Sequence, residues 1–213
     1  MARAVKRSYH SPRREEQAAA TRLQLLEAAE RLFARDGYAA TTMAAIAREA
    51  GVSARTVYVA FDTKSGLLRA LWHLRLRGDQ DDAPVGERPW YRAVLDEPDP
   101  ERKLRLNAAN GAKVRQRIGA LLAVISEAAP SDPDVGALWR SMQSEFHDNQ
   151  RAIVESLRKA KALRKGLTVD TATDVLWTIN NPTVYLLLVR DRGWSLERYT
   201  DWLADTACAQ LLR

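Results

Sequence analysis

Apolar residues recur at three- and four-residue intervals along most of this chain, the period that lines one face of an α-helix, and no strand-like two-residue alternation stands out. Leu25, Ala28 and Leu32 run beside a second stripe, Leu26, Ala29 and Phe33, which predicts a helix from about Glu15 to Asp36 with Gly37 past its end. Thr42 can cap a short helix whose Ala44, Ala45 and Ile46 lead to Ala47 and Ala50. Gly51 supplies the positive φ that a tight turn between helices requires, and Val52 plugs the corner. Ser53 caps the next helix, Ala54 to about Ala60, on which Val57 and Phe61 lie four residues apart and face inward. A fourth helix from near Thr63 to about Arg77 buries Leu67, Leu68, Leu71 and Leu74.

The stretch GDQDDAPVGERP at 78–89 then breaks the pattern and marks the boundary of a second domain. After a short turn around Trp90–Leu95, Asp99 and Pro100 start a long helix to about Ala129, with Leu104, Ala108, Gly111, Ile118, Leu122 and Ile125 on one side. Asp132 and Pro133 start the next, with the stripe Trp139, Met142, Phe146, Ile153 and Leu157, and Gly166 ends this region. Thr168 caps a helix to about Arg190, Gly193 stops it, and Ser195 caps a last helix to about Leu212. The expected fold is all-α. A disordered, polar basic tail (1–14) precedes a three-helix helix-turn-helix domain (15–78), which a helical ligand-binding and dimerisation bundle (88–213) follows.

Residues 42–64 are the most specific part of this plan. Two short helices joined by a glycine turn form a helix-turn-helix, whose second helix enters a major groove; a generic corner between two helices is the alternative. The run Leu25-Leu26, Ala28-Ala29, Leu32-Phe33, Gly37, Thr42, Ile46-Ala47, Ala50-Gly51-Val52-Ser53, Thr56, Tyr58, Phe61, Lys64, Leu67-Leu68 resembles the TetR family of transcriptional regulators over roughly residues 20–72. The ending, RDRGWSLERYTDWLADTACAQLL, is similar to the final helix of many members. Ala60 departs from the pattern, standing where members often carry a histidine or another polar residue, and Met43 and Val59 leave fewer hydrogen-bonding groups for base edges.

Charge is distributed as a nucleic-acid module attached to something else would have it. Residues 1–77 carry 14 Lys and Arg against 7 Asp and Glu, and the remaining residues carry 19 against 20. On the second helix of the motif, Ala54, Arg55, Thr56, Tyr58 and Val59 fall toward the open side, with Ser53 at its start. Thr42, Tyr58 and Lys64 are the candidates for phosphate contact, Lys64 adding charge near the N-terminus of the following helix. Arg55 is the candidate for a base edge, since a guanidinium bonds bidentately to guanine, and Thr56 suits a base methyl or a phosphate. Each has a plainer role open to it: capping for Thr42, closing the small core for Tyr58, surface charge for Lys64. Arg3, Lys6, Arg7, Arg13 and Arg14 suit a minor groove or a merely solvated tail.

In the bundle, Leu196, Tyr199, Leu203, Ala207 and Leu211, widened by Trp202, mark one face of the last helix, and Val175, Leu176, Ile179, Leu186 and Leu187 mark the helix before it. A pair apolar on more than one face suits either an internal pairing or a homodimer. The resemblance implies a four-helix interface between two protomers, and it implies an internal pocket for a small-molecule effector. Asn180, Asn181 and Pro182 interrupt an apolar helix between Trp177 and Tyr185, while Trp139, Phe146 and His147 lie on another. Polar groups set sparsely among aromatics suit an apolar ligand, although a kink and an ordinary core explain the same pattern.

The expected partners are therefore an operator in double-stranded DNA, a second copy of the chain and a small lipophilic effector, with no membrane, cofactor or metal. The single Cys208 suits a reducing cytoplasm, the N-terminus MARAVKRSYHSPRR lacks the apolar core of a signal peptide, and the apolar run Val184–Val189 is too short for a bilayer. A helical enzyme finds little support: His10, His73 and His147 are scattered, no phosphate-cradling loop or GxSxG elbow occurs, and Asp79, Asp81 and Asp82 suit a solvated loop. A DNA-compacting protein would spread its basic charge more widely. A DNA-binding regulator without an effector remains an alternative.

Overall fold

The computed structural model describes residues 12–77 and 84–213, and the regular elements among them are helical. They divide into two units, Met1–Leu71 and Trp72–Arg213. The division falls inside a helix, whereas the composition of the chain suggests the loop that follows it. Part of that loop, 78–83, lies outside the described residues, as do 1–11 with Arg3, Lys6 and Arg7.

The first unit contains α1 (Pro12–Ala40), α2 (Met43–Glu49), α3 (Ala54–Phe61) and the start of α4 (Lys64–Arg77). Helix α1 begins before the expected Glu15, so Arg13 and Arg14 are helical, and a non-helical Gly37 (φ 78°) kinks its last turn. Both apolar stripes of α1 are buried, together with Ile46 and Val57 and with Leu67, Leu68 and Leu71. Three side chains close helix ends here. Arg22 Nη1 donates to the Ala60 carbonyl at the end of α3 (2.7 Å), and Gln24 Nε2 donates to the Ala50 carbonyl at the end of α2 (2.9 Å). Lys64 Nζ donates to the carbonyls of Tyr38 (2.7 Å), Ala39 (3.4 Å) and Thr41 (3.0 Å) at the end of α1. Terminal carbonyls have no partner within their own helix, so such bonds fix where each helix stops.

The second unit contains a 3₁₀ turn (Val85–Glu87), α5 (Pro89–Asp96), α6 (Pro100–Ala128), α7 (Pro133–Lys159), α8 (Val169–Ile179), α9 (Pro182–Tyr185) and α10 (Leu196–Leu211). The expected turn at 90–95 is thus a two-turn helix that buries Tyr91 and Val94. Asp99, Asp132, Thr168 and Ser195 cap α6, α7, α8 and α10 as their spacing predicts. The single helix expected over 168–190 is broken. Asn180 ends α8, Asn181 and Pro182 begin α9, and Leu186–Asp191 continues as a π-helical turn. Proline removes a donor and clashes with the preceding turn, which is why the chain must restart there.

Helix α10 packs along α6. Tyr199, Leu203, Ala207 and Leu211 are all buried within this one chain, Tyr199 completely, beside Ala108 and Ala112 of α6 or Leu176 of α8. The face expected to meet a second protomer is therefore core. Its apolar period is satisfied by a neighbour in the same bundle. Leu186, Leu196 and Trp202 are half-buried against that core, and Leu187 is 53% exposed.

Candidate DNA-reading face and effector cavity

Helices α2 and α3 meet at a turn whose geometry follows from one residue. Gly51 (φ 67°) bends the chain so that Val52 N–H reaches back to the Ala47 carbonyl at 3.0 Å. Thr42 Oγ1 accepts from Ala45 N–H (3.1 Å) and Ser53 Oγ accepts from Thr56 N–H (3.1 Å), so both short helices have capped starts. The Ser53 and Thr56 hydroxyls also bond to each other at 2.8 Å. With Val57 and Phe61 pinned inward, the opposite face of α3 is presented to solvent: Ala54, Arg55, Tyr58 (54% exposed) and Val59 (79% exposed). An exposed valine and tyrosine on a basic head, beside an exposed arginine, form a surface suited to base methyls, phosphate and guanine edges.

Lys64 and Met43 depart from what the sequence predicts for this face. Lys64 is partly buried, and the three carbonyls it meets match the three N–H groups of an ammonium, which also sits 4.1 Å from the centre of the Tyr38 ring. Its charge closes α1. Met43 is buried, away from the exposed face of α3. Thr42 is exposed and caps α2, so it keeps a lone pair and a position at the helix start.

Within the second unit lies a cavity of about 110 Å³. Its apolar wall includes Trp72 and Leu76 of α4, Trp90 of α5, Ile118 and Leu122 of α6, and Met142 and Phe146 of α7. Arg117 of α6 donates to the carbonyls of Arg75 and Leu76, 2.7 Å each, holding the end of α4. The polar lining is a connected set. Arg115 Nη2 donates to the backbone and side-chain oxygens of Asn180. Asn180 Nδ2 donates to Gln150 Oε1 (3.0 Å), which also accepts from Asn107 Nδ2 (3.3 Å). Burial pushes the Arg115 guanidinium below its ordinary pKa, with Tyr199 and Tyr185 acting the other way. Tyr91 also lines the cavity; burial pushes its phenol up to about 12, and it donates to the Asn149 carbonyl at 2.6 Å.

Of the residues expected around an effector, Phe146 and Asn180 lie on this wall, together with Pro182. The others lie elsewhere. His147 faces Asp174 (3.2 Å) and stacks edge-on with Trp177 at 6.2 Å. Asn181 caps α9 and bonds Gln143 (3.3 Å), Tyr185 packs edge-on against Tyr199 at 5.2 Å, and Trp139 is half-buried off the wall. Aromatic spacing places these on inward-facing helices but does not say which inward surface is packed solid.

The sequence pattern for bacterial regulatory proteins of the tetR family matches residues 25–71. The HTH-type transcriptional regulator TtgR of Pseudomonas putida is 32% identical over 157 residues, which cover 72% of this chain and 71% of TtgR. The chain belongs to the TetR family. A probable HTH-type transcriptional regulator of Pseudomonas putida, ArpR, matches to the same extent. Among solved structures, NalD, the secondary repressor of the MexAB-OprM multidrug efflux pump in Pseudomonas aeruginosa, has the same fold. It superposes with a TM-score of 0.73 at 20% identity, covering 92% of this chain and 98% of that one. SmeT of Stenotrophomonas maltophilia, in complex with triclosan, gives a TM-score of 0.69 at 20% identity over 91% of this chain and 92% of SmeT.

Membership makes this TetR-family protein a DNA-binding transcriptional regulator and sets the enzyme reading aside. Among the described residues no helix is long and apolar enough to cross a membrane. Sequence reasoning overlooked Arg115, Gln150 and Asn107, the polar centre of the cavity. A buried arginine and glutamine carry no local signature, because in an amphipathic helix such residues are ordinarily assigned to the solvated face.

Proposed function

We propose that the protein is a dimeric repressor that leaves its operator when a small, largely apolar effector occupies the cavity of the second unit. The observation that carries this is the pairing of an exposed, basic α3 face (Arg55, Tyr58, Val59) with a mostly apolar cavity whose wall includes the later part of α4. Helix α4 starts at Lys64, whose ammonium holds the end of α1, and its later residues Trp72 and Leu76 stand on the cavity wall. An effector that displaces those two side chains acts on the helix that anchors the reading head. A coupling of about 1–3 kcal/mol would lower operator affinity roughly 5- to 150-fold. The complex of SmeT with triclosan shows that a protein of this fold takes a small aromatic molecule.

A single helix-turn-helix covers little DNA, so two protomers are needed for paired half-sites. With Tyr199 and Leu203 internal, the second copy is assigned to the outer side of α8 and α10, where Val175, Thr178, Ile179, Thr206 and Gln210 line a shallow open groove. The regulator acts in the cytoplasm, where its operator is. Anisotropy of a labelled operator tests the reading: affinity should fall when a cavity ligand is added, and a ligand bound in the cavity without effect on operator affinity would refute the coupling.

A further inference from the structure

Arg115 is 3% exposed, and among the described residues it forms no salt bridge. Nη2 is held by Asn180, which Gln150 and Asn107 hold in turn, while Nε and Nη1 are buried without an acceptor. A buried cation is costly unless an anion or a full set of acceptors offsets it. No carboxylate supplies that. Glu145, the acidic residue of the cavity lining, is exposed and accepts from Ser141 Oγ at 3.4 Å. The neighbouring Tyr185 and Tyr199 phenols are neutral near pH 7, since burial raises both, and the Tyr199 hydroxyl is itself buried without a partner. One turn before Arg115, Gly111 lines the same cavity, and a Cβ there would stand 2.5 Å from Arg115 Nη1. The missing side chain makes room for this unmatched nitrogen beside the residues of the cavity wall.

The size and the remaining lining bound the other end of the ligand. An apolar cavity of about 150 Å³ takes benzene, so one of about 110 Å³ limits the enclosed part of a ligand to at most a single ring. Trp72, Trp90 and Phe146 supply flat surfaces for it. We infer that the effector class is a one-ring aromatic acid, its ring among these aromatics and its carboxylate on the unmatched N–H groups of Arg115. The inference rests on the reading of the cavity as an effector site and adds the charge of the molecule. The Asn180–Gln150–Asn107 chain fixes the guanidinium in advance, so a bound carboxylate does not have to order it. Charge-assisted bonds to a preset arginine are the strong ones, and a neutral isostere forgoes them.

Calorimetric titration of the full-length protein with phenylacetate, 3-phenylpropionate and 4-phenylbutyrate, each beside its neutral amide, tests this. At least one acid should bind about tenfold or more tightly than its amide, and Arg115→Met should abolish the difference. Amides that bind as tightly as their acids, or an acid preference that survives in Arg115→Met, would overturn the inference and leave the cavity standing as an effector site. Absence of binding by all six probes would overturn the inference alone, since the cavity reading admits other apolar effectors. The ligand-free Arg115→Met protein gives an independent reading. Its melting temperature should rise, because an unmatched buried charge is gone; a fall would mean that the guanidinium is a structural support and would refute the assignment.

Discussion

The two units of this protein use polar side chains in opposite ways. In the first, Arg22, Gln24 and Lys64 reach the carbonyls that finish α3, α2 and α1, and the hydroxyls of Thr42 and Ser53 cap α2 and α3 at their starts. Nearly all of that polarity completes the backbone. In the second, Arg115, Asn180, Gln150 and Asn107 bond to one another around a cavity and leave donors over. Polarity that completes a backbone serves rigidity, which a reading head needs. Polarity left incomplete inside a cavity suits the binding that we propose for it. The exposed α3 face that we propose reads DNA accordingly lies on the outside of the first unit, while the second unit keeps its polar chemistry within.

The strongest way to break this contrast is in the core of the second unit. Leu203→Ala removes a side chain that is 1% exposed and packs beside Tyr199, and it should cost about 2–5 kcal/mol in denaturant unfolding. If the variant instead dissociated into monomers of undiminished stability, the face would belong to the dimer after all. Lys64→Ala should next lower the stability of the first unit by about 1–3 kcal/mol, through carbonyls left without a donor. Were its melting temperature unchanged and the salt slope of DNA binding reduced by about 1, Lys64 would be a phosphate contact and not a clamp.

Arg55→Ala sharpens the comparison from the exposed side. It should leave thermal stability unchanged and relax discrimination at particular base pairs by about 1–3 kcal/mol, measured by competition between operator variants. Unchanged sequence preference would take Arg55 out of the reading set. Thr42→Ala has the smallest expected effect, about 1 kcal/mol from the lost cap on α2, visible in chemical denaturation. A larger loss in DNA affinity than in stability would add a phosphate contact to its role.

Caps are the most legible features of this chain, because a cap is a relation between residues two or three apart: Thr42, Ser53, Asp99, Asp132, Thr168 and Ser195 all stand where a local pattern puts them. The inward positions of α1 and α3 are legible too, since burial follows from period alone. Period does not name the partner. Tyr199, Leu203, Ala207 and Leu211 form a regular apolar face, and nothing in that regularity distinguishes α6 of the same chain from a second copy. Contacts across long separations are hidden for the same reason. Lys64 meets Tyr38 across 26 positions, and Arg115 meets Asn180 across 65. The break at Asn180–Pro182 is visible as an interruption, but its use, one asparagine ending α8 and tethering a buried guanidinium, depends on which helix lies opposite.

Selection of duplexes from a random library by the purified full-length protein, followed by sequencing, tests the central claim most directly. Enrichment of a two-fold symmetric site, with the base preference in each half lost for Arg55→Ala, is the predicted result. A library that emerges unenriched at low ionic strength, or one enriched in sites that the Arg55→Ala, Tyr58→Ala and Val59→Ala proteins select equally well, would contradict the assignment of α3 as the element that reads DNA.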